Sequence, residues 1–146
     1  ASDGMEIERG CMQHGPTSVF EHSLAVTAQA TLIAQALRIP VAERELVRGS
    51  LLHDYFLYDW HVGDPSHRLH GFRHPGFACA NAERDFGIND IERDMIRHHM
   101  FPLTPVPPTC REGAILCIAD KVVATRETVS GIALRLFRPV RTPGRD

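Results

Sequence analysis

Histidine and aspartate side chains that could hold a metal ion recur along this chain, on the apolar faces or at the ends of predicted helices. There are seven of them: His22, His53, Asp54, His74, His98, His99 and Asp120. A single buried histidine or aspartate is usually explained by a hydrogen bond within the core. Five histidines in one interior would need many matched acceptors, whereas a cation satisfies all of them at once. The set therefore predicts a metal site.

The ligand types and their number indicate which metals the site holds, and how many. Imidazoles with two carboxylates suit iron or manganese first, with cobalt, nickel or zinc as further choices, better than magnesium or calcium. One ion would be satisfied by four of the residues, namely His22, His53, Asp54 and Asp120. Two divalent ions would use all seven if one carboxylate bridges them, and Asp54, at the end of a predicted helix, is placed to do so. Two ions roughly 3.5–4 Å apart can share a hydroxide and stabilise an in-line displacement at phosphorus.

The elements that must position these residues are helices. Apolar residues recur with helical periodicity almost throughout, and no convincing run of alternating residues marks a strand. We therefore predict an all-α fold, a compact single-domain helical bundle of five to six core helices over residues 1–146. Its core is expected at about 14–137, with a flexible tail at 138–146.

Capping residues and helix breakers predict where the helices begin and end. Capping boxes mark three starts: Ser18 with Glu21, Asn89 with Glu92, and Thr109 with Glu112. The predicted helices cover roughly 18–39, 41–53, 74–87, 89–99 and 110–127, followed by a short helix between Gly131 and Pro139. Between them lie a proline-rich connector at 101–109 and an irregular segment at 55–73. A structureless segment as long as 55–73 is more often functional than accidental, so we interpret it as a lid or pocket wall.

The composition argues against two classes of binding partner, nucleic acids and membranes. The net charge of −2 and scattered lysines and arginines provide no basic face for a nucleic acid. No run of about 18 apolar residues predicts a membrane span, and residues 1–30 lack the pattern of a signal peptide, so we expect a cytoplasmic protein. The four cysteines form no C-x-x-C pair and are expected to be reduced thiols.

The order of the candidate ligands resembles that of a known family. It reads H…HD…H…HH…D, within the local sequences FEHS, LLHDYF, RHPG, RHHM and IADK. Over roughly residues 14–127 the chain is thus similar to the HD-domain metal-dependent phosphohydrolase superfamily. The resemblance implies an all-α fold, two metals bridged by the aspartate of the HD pair, and hydrolysis of phosphomonoesters, nucleotides or cyclic dinucleotides. Because MFPLTP follows the tandem histidines in place of a GYP motif, the resemblance does not extend to the HD-GYP phosphodiesterases.

The predicted function is hydrolysis of a phosphoester in a small metabolite or nucleotide, by attack of metal-bound hydroxide. Asp54 and Lys121 are the predicted catalytic residues, the first as metal bridge and the second as a positive charge for phosphate. Two alternatives remain open here: Lys121 as a salt-bridged or solvated residue, and His98 as a substrate-facing residue rather than a ligand. Two other functions also remain open, a di-iron oxygenase on the same fold and a metal-stabilised sensor or scaffold.

Further side chains near the predicted site have two interpretations each. The aromatic residues after the HD pair either stack on the substrate or plug the core: Tyr55, Phe56, Tyr58 and Trp60. Several basic residues either contact the substrate or lie on the surface: His14, His61, His67, His70 and Arg73.

Overall fold

Six helices and one short pair of strands make up the part of the chain that the computed structural model describes, residues 3–14, 17–58 and 69–136. The helices are α1 (Asp3–Gly10), α2 (Val19–Ala36), α3 (Glu43–Leu52), α4 (His70–Phe86), α5 (Asp90–His98) and α6 (Arg111–Leu136). Strands β1 (Met12–His14) and β2 (Thr17–Ser18) pair antiparallel just before α2. The predicted all-α fold is confirmed, although α1 and the strands were not predicted. Strands of three and two residues are too short to show an alternating pattern.

Two of the three predicted capping boxes form. At the start of α2, the backbone N–H of Glu21 donates to Ser18 Oγ at 3.2 Å, and Ser18 N–H donates back to the Glu21 carboxylate at 3.0 Å. Asn89 and Glu92 make the same reciprocal pair at the start of α5, with both bonds at 3.0 Å. Residues only three positions apart therefore determine where these helices begin.

The third predicted capping box, between Thr109 and Glu112, is wrong. Glu112 Oε1 instead accepts a hydrogen bond of 2.8 Å from Ala42 N, which lies just before α3. The backbone N–H groups of Thr109 and Cys110 donate to Asp94 Oδ2 on α5, at 2.8 and 3.1 Å. The segment leading into α6 is thus held by side chains from other helices, which local sequence cannot reveal.

Replacing Asp94 with alanine is expected to lower the free energy of unfolding by about 1–3 kcal/mol, because the N–H groups of Thr109 and Cys110 and the ring of His98 lose a charged acceptor. Burial raises the pKa of Asp94, but hydrogen bonds from Cys110, Thr109 and His98 outweigh it and hold the pKa below its ordinary 3.8. The stability from this lowered pKa is present above 3.8 and is lost as the pH falls through the lowered value. Urea unfolding of the metal-free protein at neutral and acid pH measures both effects.

A matched control for that experiment is Glu83→Ala. Glu83 lies on α4 with half of its side chain exposed and pairs only at the surface with Arg93. Its replacement should change the unfolding free energy by less than about 1 kcal/mol. Equal losses in the two variants would contradict the role assigned to Asp94.

Two helix boundaries differ from the sequence prediction. The third predicted helix starts near His74, whereas α4 begins at His70, so that Pro75 lies in its second turn. Proline suits the first turn of a helix, which is why the sequence predicts a start near His74; at the observed position Pro75 has no N–H to donate to the Gly71 carbonyl one turn earlier. The predicted break at Gly131 is also wrong, since α6 runs through it to Leu136. A glycine within a helix costs only about 1 kcal/mol relative to alanine, and this is not enough to end it.

Several sequence predictions lie outside the described residues. They concern the centre of the proposed lid (59–68) with Trp60, His61 and His67, the side chains of His14 and His70, Pro139, and the tail at 138–146. The described ends of the 55–73 segment are a buried turn after α3 and the first residues of α4. The extent of the single domain stays a prediction.

The centre of the bundle is formed by α2 packed against α6 and α3, with α5 packed against α3, α4 and α6. Its largest apolar cluster comprises Val26, Ala30, Ala34, Leu46, Met95, Ile115, Leu116, Ala119 and Val123. Burial of each large side chain contributes about 1.5–3 kcal/mol. Gly49 on α3 faces the Met95 side chain, and a Cβ there would lie 2.6 Å from its sulfur, so glycine permits the close approach of α3 and α5. This packing brings the ends of α3 and α5 next to α2 and α6.

Among the described segments, no helix is both long enough and apolar enough to cross a bilayer.

Candidate metal centre

Five helices bring six of the predicted ligands into one buried space. α2 supplies His22, the end of α3 supplies His53 and Asp54, α4 supplies His74, the end of α5 supplies His99, and α6 supplies Asp120. All six are buried, and the most exposed of them, Asp120, retains only 8% of its surface. A cluster of titratable groups this deep needs mutual pairing or a bound cation.

Asp54 lies at the middle of this cluster. Its Oδ1 is 3.1 Å from His74 Nε2 and 3.5 Å from His99 Nε2. Its Oδ2 is 3.5 Å from His53 Nε2 and 3.9 Å from His22 Nε2. The two oxygens of one carboxylate therefore face two different pairs of imidazoles, which is the arrangement that a bridging ligand needs.

Two overlapping groups of three residues have ligand atoms within 4.8 Å of one another. One consists of His22, His53 and Asp120, and the other of His53, Asp54 and His99. In the first group, Asp120 Oδ1 lies 3.2 Å from His22 Nε2 and 3.9 Å from His53 Nε2. All residues of both groups are buried, so protein ligands would replace water molecules around an ion held there.

His74 lies next to the second of these groups. Its Nε2 is 2.9 Å from His99 Nε2, and both of these nitrogens approach Asp54 Oδ1. Two imidazole nitrogens and one carboxylate oxygen thus converge at a single place.

The backbone determines which ring nitrogen of two histidines carries the proton. His53 Nδ1 lies 2.7 Å from the carbonyl oxygen of Ser50, and His99 Nδ1 lies 2.8 Å from that of Ile96. A carbonyl oxygen only accepts, so each Nδ1 donates, and in the neutral form of each ring Nε2 carries a lone pair that a metal ion can use. The buried His53 Nε2 has no hydrogen-bond partner among the described residues. A metal ion would satisfy this nitrogen, so the residues fit a bound cation.

Glu127 is a site residue that the sequence analysis missed. Its carboxylate accepts a hydrogen bond of 2.9 Å from His22 Nδ1, which directs the other nitrogen of that ring toward Asp120. Glu127 and Asp120 are seven residues apart on α6, so they lie on the same face two turns from each other. That spacing was visible in the sequence, but only the packing of α2 on α6 shows that both carboxylates contact one histidine.

The charges of the metal-free cluster follow from burial and from these contacts. Burial lowers the pKa of His22, but Asp120, Glu127 and Asp54 outweigh it and raise that pKa to about 10. Burial dominates at His53 and lowers its pKa to about 4. Burial raises the pKa of Asp54, yet the neighbouring histidines hold it well below 3.8. At neutral pH, Asp54 is therefore an anion and His53 a neutral imidazole, which are the forms that bind metal ions.

The remaining two predicted site residues lie beside the cluster, at the junction of α5 and α6. His98 Nδ1 is 2.9 Å from Asp94 Oδ1, and the His98 side chain is 27% exposed. Lys121 Nζ donates to the backbone carbonyls of His99 at 3.0 Å and Cys117 at 3.3 Å. The structure thus brings six of the seven predicted ligands together. Lys121 is hydrogen-bonded to the backbone carbonyl of one of these ligands, His99.

A row of aromatic rings leads from the cluster to the surface. The rings of His74 and Phe56 are 5.8 Å apart, those of Phe56 and Tyr58 are 4.9 Å apart, and those of Tyr58 and Phe77 are 5.7 Å apart. The guanidinium of Arg73 lies 5.6 Å from the centre of the half-exposed Phe77 ring. The row therefore joins the buried ligands to a positively charged group on the outside.

Comparison with known proteins agrees with this geometry. The family model for the HD domain matches residues 19–125, a range that contains all six converging residues. A search of curated proteins finds no match. Members of the family are generally metal-dependent hydrolases, and the clustered histidines and aspartates could hold such a metal here. The match covers most of the sequence and includes the buried cluster, and the chain therefore belongs to the HD domain family.

Proposed function

We propose that this chain hydrolyses a phosphoester of a small molecule with the help of two divalent transition-metal ions. The position of Asp54 carries the proposal, because its two oxygens face separate pairs of imidazoles. A site for a single ion would not need a carboxylate between two sets of nitrogen ligands. Imidazoles mixed with carboxylates favour iron or manganese, with cobalt, nickel or zinc as alternatives.

The ligands divide into two sets that share Asp54. The first set is His22, His53 and Asp120 with Asp54 Oδ2, and the second is His74 and His99 with Asp54 Oδ1. When bound, two such ions would lower the pKa of a water molecule and stabilise negative charge at phosphorus.

The surrounding residues hold these side chains in place. Glu127 orients His22 through Nδ1, and the Ile96 carbonyl orients His99 in the same way. Lys121 donates to the backbone carbonyl of His99, so we assign it as a positioning residue rather than as a phosphate contact. Fixed imidazoles lose little entropy on binding an ion, and such supporting contacts typically contribute a factor of about 10–100 in metal affinity.

The aromatic row supports a small phosphorylated substrate with a flat apolar part. Phe56 is buried with Cys11 and Val19, but the partly buried Tyr58 and the exposed Phe77 form the outer part of the row, where a flat group could stack while the phosphate reaches the metal ligands. Arg73, next to Phe77, supplies a positive charge near the outer end of the row. The net charge of −2 opposes a nucleic acid polymer as substrate.

The proposal is tested with protein loaded separately with manganese and with ferrous iron. Phosphate release from p-nitrophenyl phosphate and nucleoside monophosphates is measured while an electrode records dissolved oxygen. Hydrolysis without oxygen uptake supports the proposal. Oxygen uptake by the iron form without phosphate release would show an oxygenase, and a metal-loaded protein that does neither would point to a structural metal.

A further inference from the structure

Glu8 on α1 is a buried carboxyl group to which the sequence drew no attention. Only 1% of its surface is exposed, and neither of its carboxylate oxygens has a hydrogen-bond partner among the residues that the structure describes. Buried carboxyl groups in folded proteins are normally paired, hydrogen-bonded or bound to a metal. Glu8 is therefore a buried carboxyl group for which the described residues of the metal-free chain supply no partner.

The packing of α1 directs Glu8 toward the segment that carries Asp54. Gly4, one helical turn before Glu8, lies so close to the hydroxyl end of Tyr55 that a Cβ there would overlap with it. Residues four apart share a face of a helix, so Glu8 points to the same side. Cys11, just after α1, packs against Phe56 in a small cluster. The two residues that follow Asp54 thus contact the chain on either side of Glu8.

The electrostatics agree with this placement. The pKa of Glu8 is raised to about 8, first by burial and second by the negative charge of Asp54. Asp54 exerts this effect because it lies near enough to Glu8 to interact across a buried region.

We infer that Glu8 supplies a third carboxylate to the metal centre, an inference that rests on the proposed metal-dependent function. Asp54 and Asp120 bring two negative charges to ligand sets that would hold two divalent ions. A third carboxylate reduces the remaining positive charge, and a cation provides the partner that both Glu8 oxygens lack. The role requires α1, so the helix that precedes the family match at residues 19–125 becomes part of the site.

The test compares manganese binding by the metal-free wild-type chain and by Glu8→Gln, which keeps the side-chain shape and removes its charge. Equilibrium dialysis measures affinity and stoichiometry, and electron paramagnetic resonance of the bound manganese reports its ligands. We expect Glu8→Gln to weaken the binding of at least one ion by about tenfold or more. The matched control is Glu6→Gln on the same helix, whose side chain is 64% exposed, and it should bind as the wild type does.

Manganese binding by Glu8→Gln with wild-type affinity and stoichiometry would overturn the inference. If this variant does not fold, infrared difference spectra of the wild-type chain with labelled glutamate decide the question. Addition of manganese should then remove the carbonyl band of a protonated buried glutamate, and persistence of that band contradicts the role. A wild-type chain that binds no metal would overturn the proposed function itself. If the wild type binds metal and Glu8→Gln binds it equally well, only the role inferred for Glu8 is overturned.

Discussion

Alanine at position 54 is expected to abolish both metal binding and phosphate release. Asp54 is the only residue of the cluster whose two side-chain oxygens face both ligand sets among the described residues. Its loss removes the ligand that both sets share. It also removes a negative charge that would attract cations to the surrounding imidazoles. We expect the turnover number to fall at least ~10³-fold, the upper end for losing one preorganised electrostatic group. Elemental analysis and phosphate release on the same preparation measure both effects.

A second substitution separates charge from shape in that experiment. Asp54→Asn keeps the size of the side chain and should lose binding of at least one ion while the protein stays folded. Asp90→Asn is the matched control, because the Asp90 side chain is fully exposed on α5. Phosphate release by metal-loaded Asp54→Ala at a rate near that of the wild type would rule out the bridging role.

Removal of metal by a chelator is expected to reduce phosphate release to background, and manganese or ferrous iron should restore it. The metal-loaded wild type should contain two ions per chain, because the ligands form two sets around Asp54. Binding should also stabilise the fold, by about 2.7 kcal/mol when free metal is at 100 times the dissociation constant. Thermal unfolding with and without chelator measures this gain.

The stabilisation by metal is expected to increase with pH. In the metal-free chain the pKa of His22 is raised to about 10, so its contribution to stability is present below 6.5 and is lost as the pH approaches 10. The pKa of Glu8 is raised to about 8, and its contribution is lost between 4.5 and 8. Metal binding, in contrast, needs deprotonated ligands and strengthens as the pH rises. The difference in melting temperature between the two forms should therefore be larger at about pH 8.5 than at about pH 6.

Full activity after exhaustive chelation would contradict this second prediction. If the saturated protein contains one ion per chain, only the first ligand set binds a metal, and the role proposed for His74 and His99 is contradicted. A difference in melting temperature that shrinks with rising pH would contradict the protonation states assigned to His22 and Glu8.

Much of the fold was predictable because its signals are local. The capping boxes at Ser18 and Asn89 involve residues three positions apart, and both helices begin where these boxes predict. The start of α6 was different, because Asp94 on α5 accepts the hydrogen bonds there. The break expected at Gly131 also failed, since a weak local preference does not end a helix as long as α6.

The sequence by itself determined the residue types of the site, since the order of histidines and aspartates is the pattern of the HD domain family. Only the tertiary structure decided which of two adjacent histidines faces inward. Successive residues point about 100° apart around a helix, so His99 faces Asp54 while His98 turns to Asp94. Packing likewise placed Glu127 behind His22 and buried Glu8 near Asp54. These contacts join residues distant along the chain, and they exist only once the helices pack together.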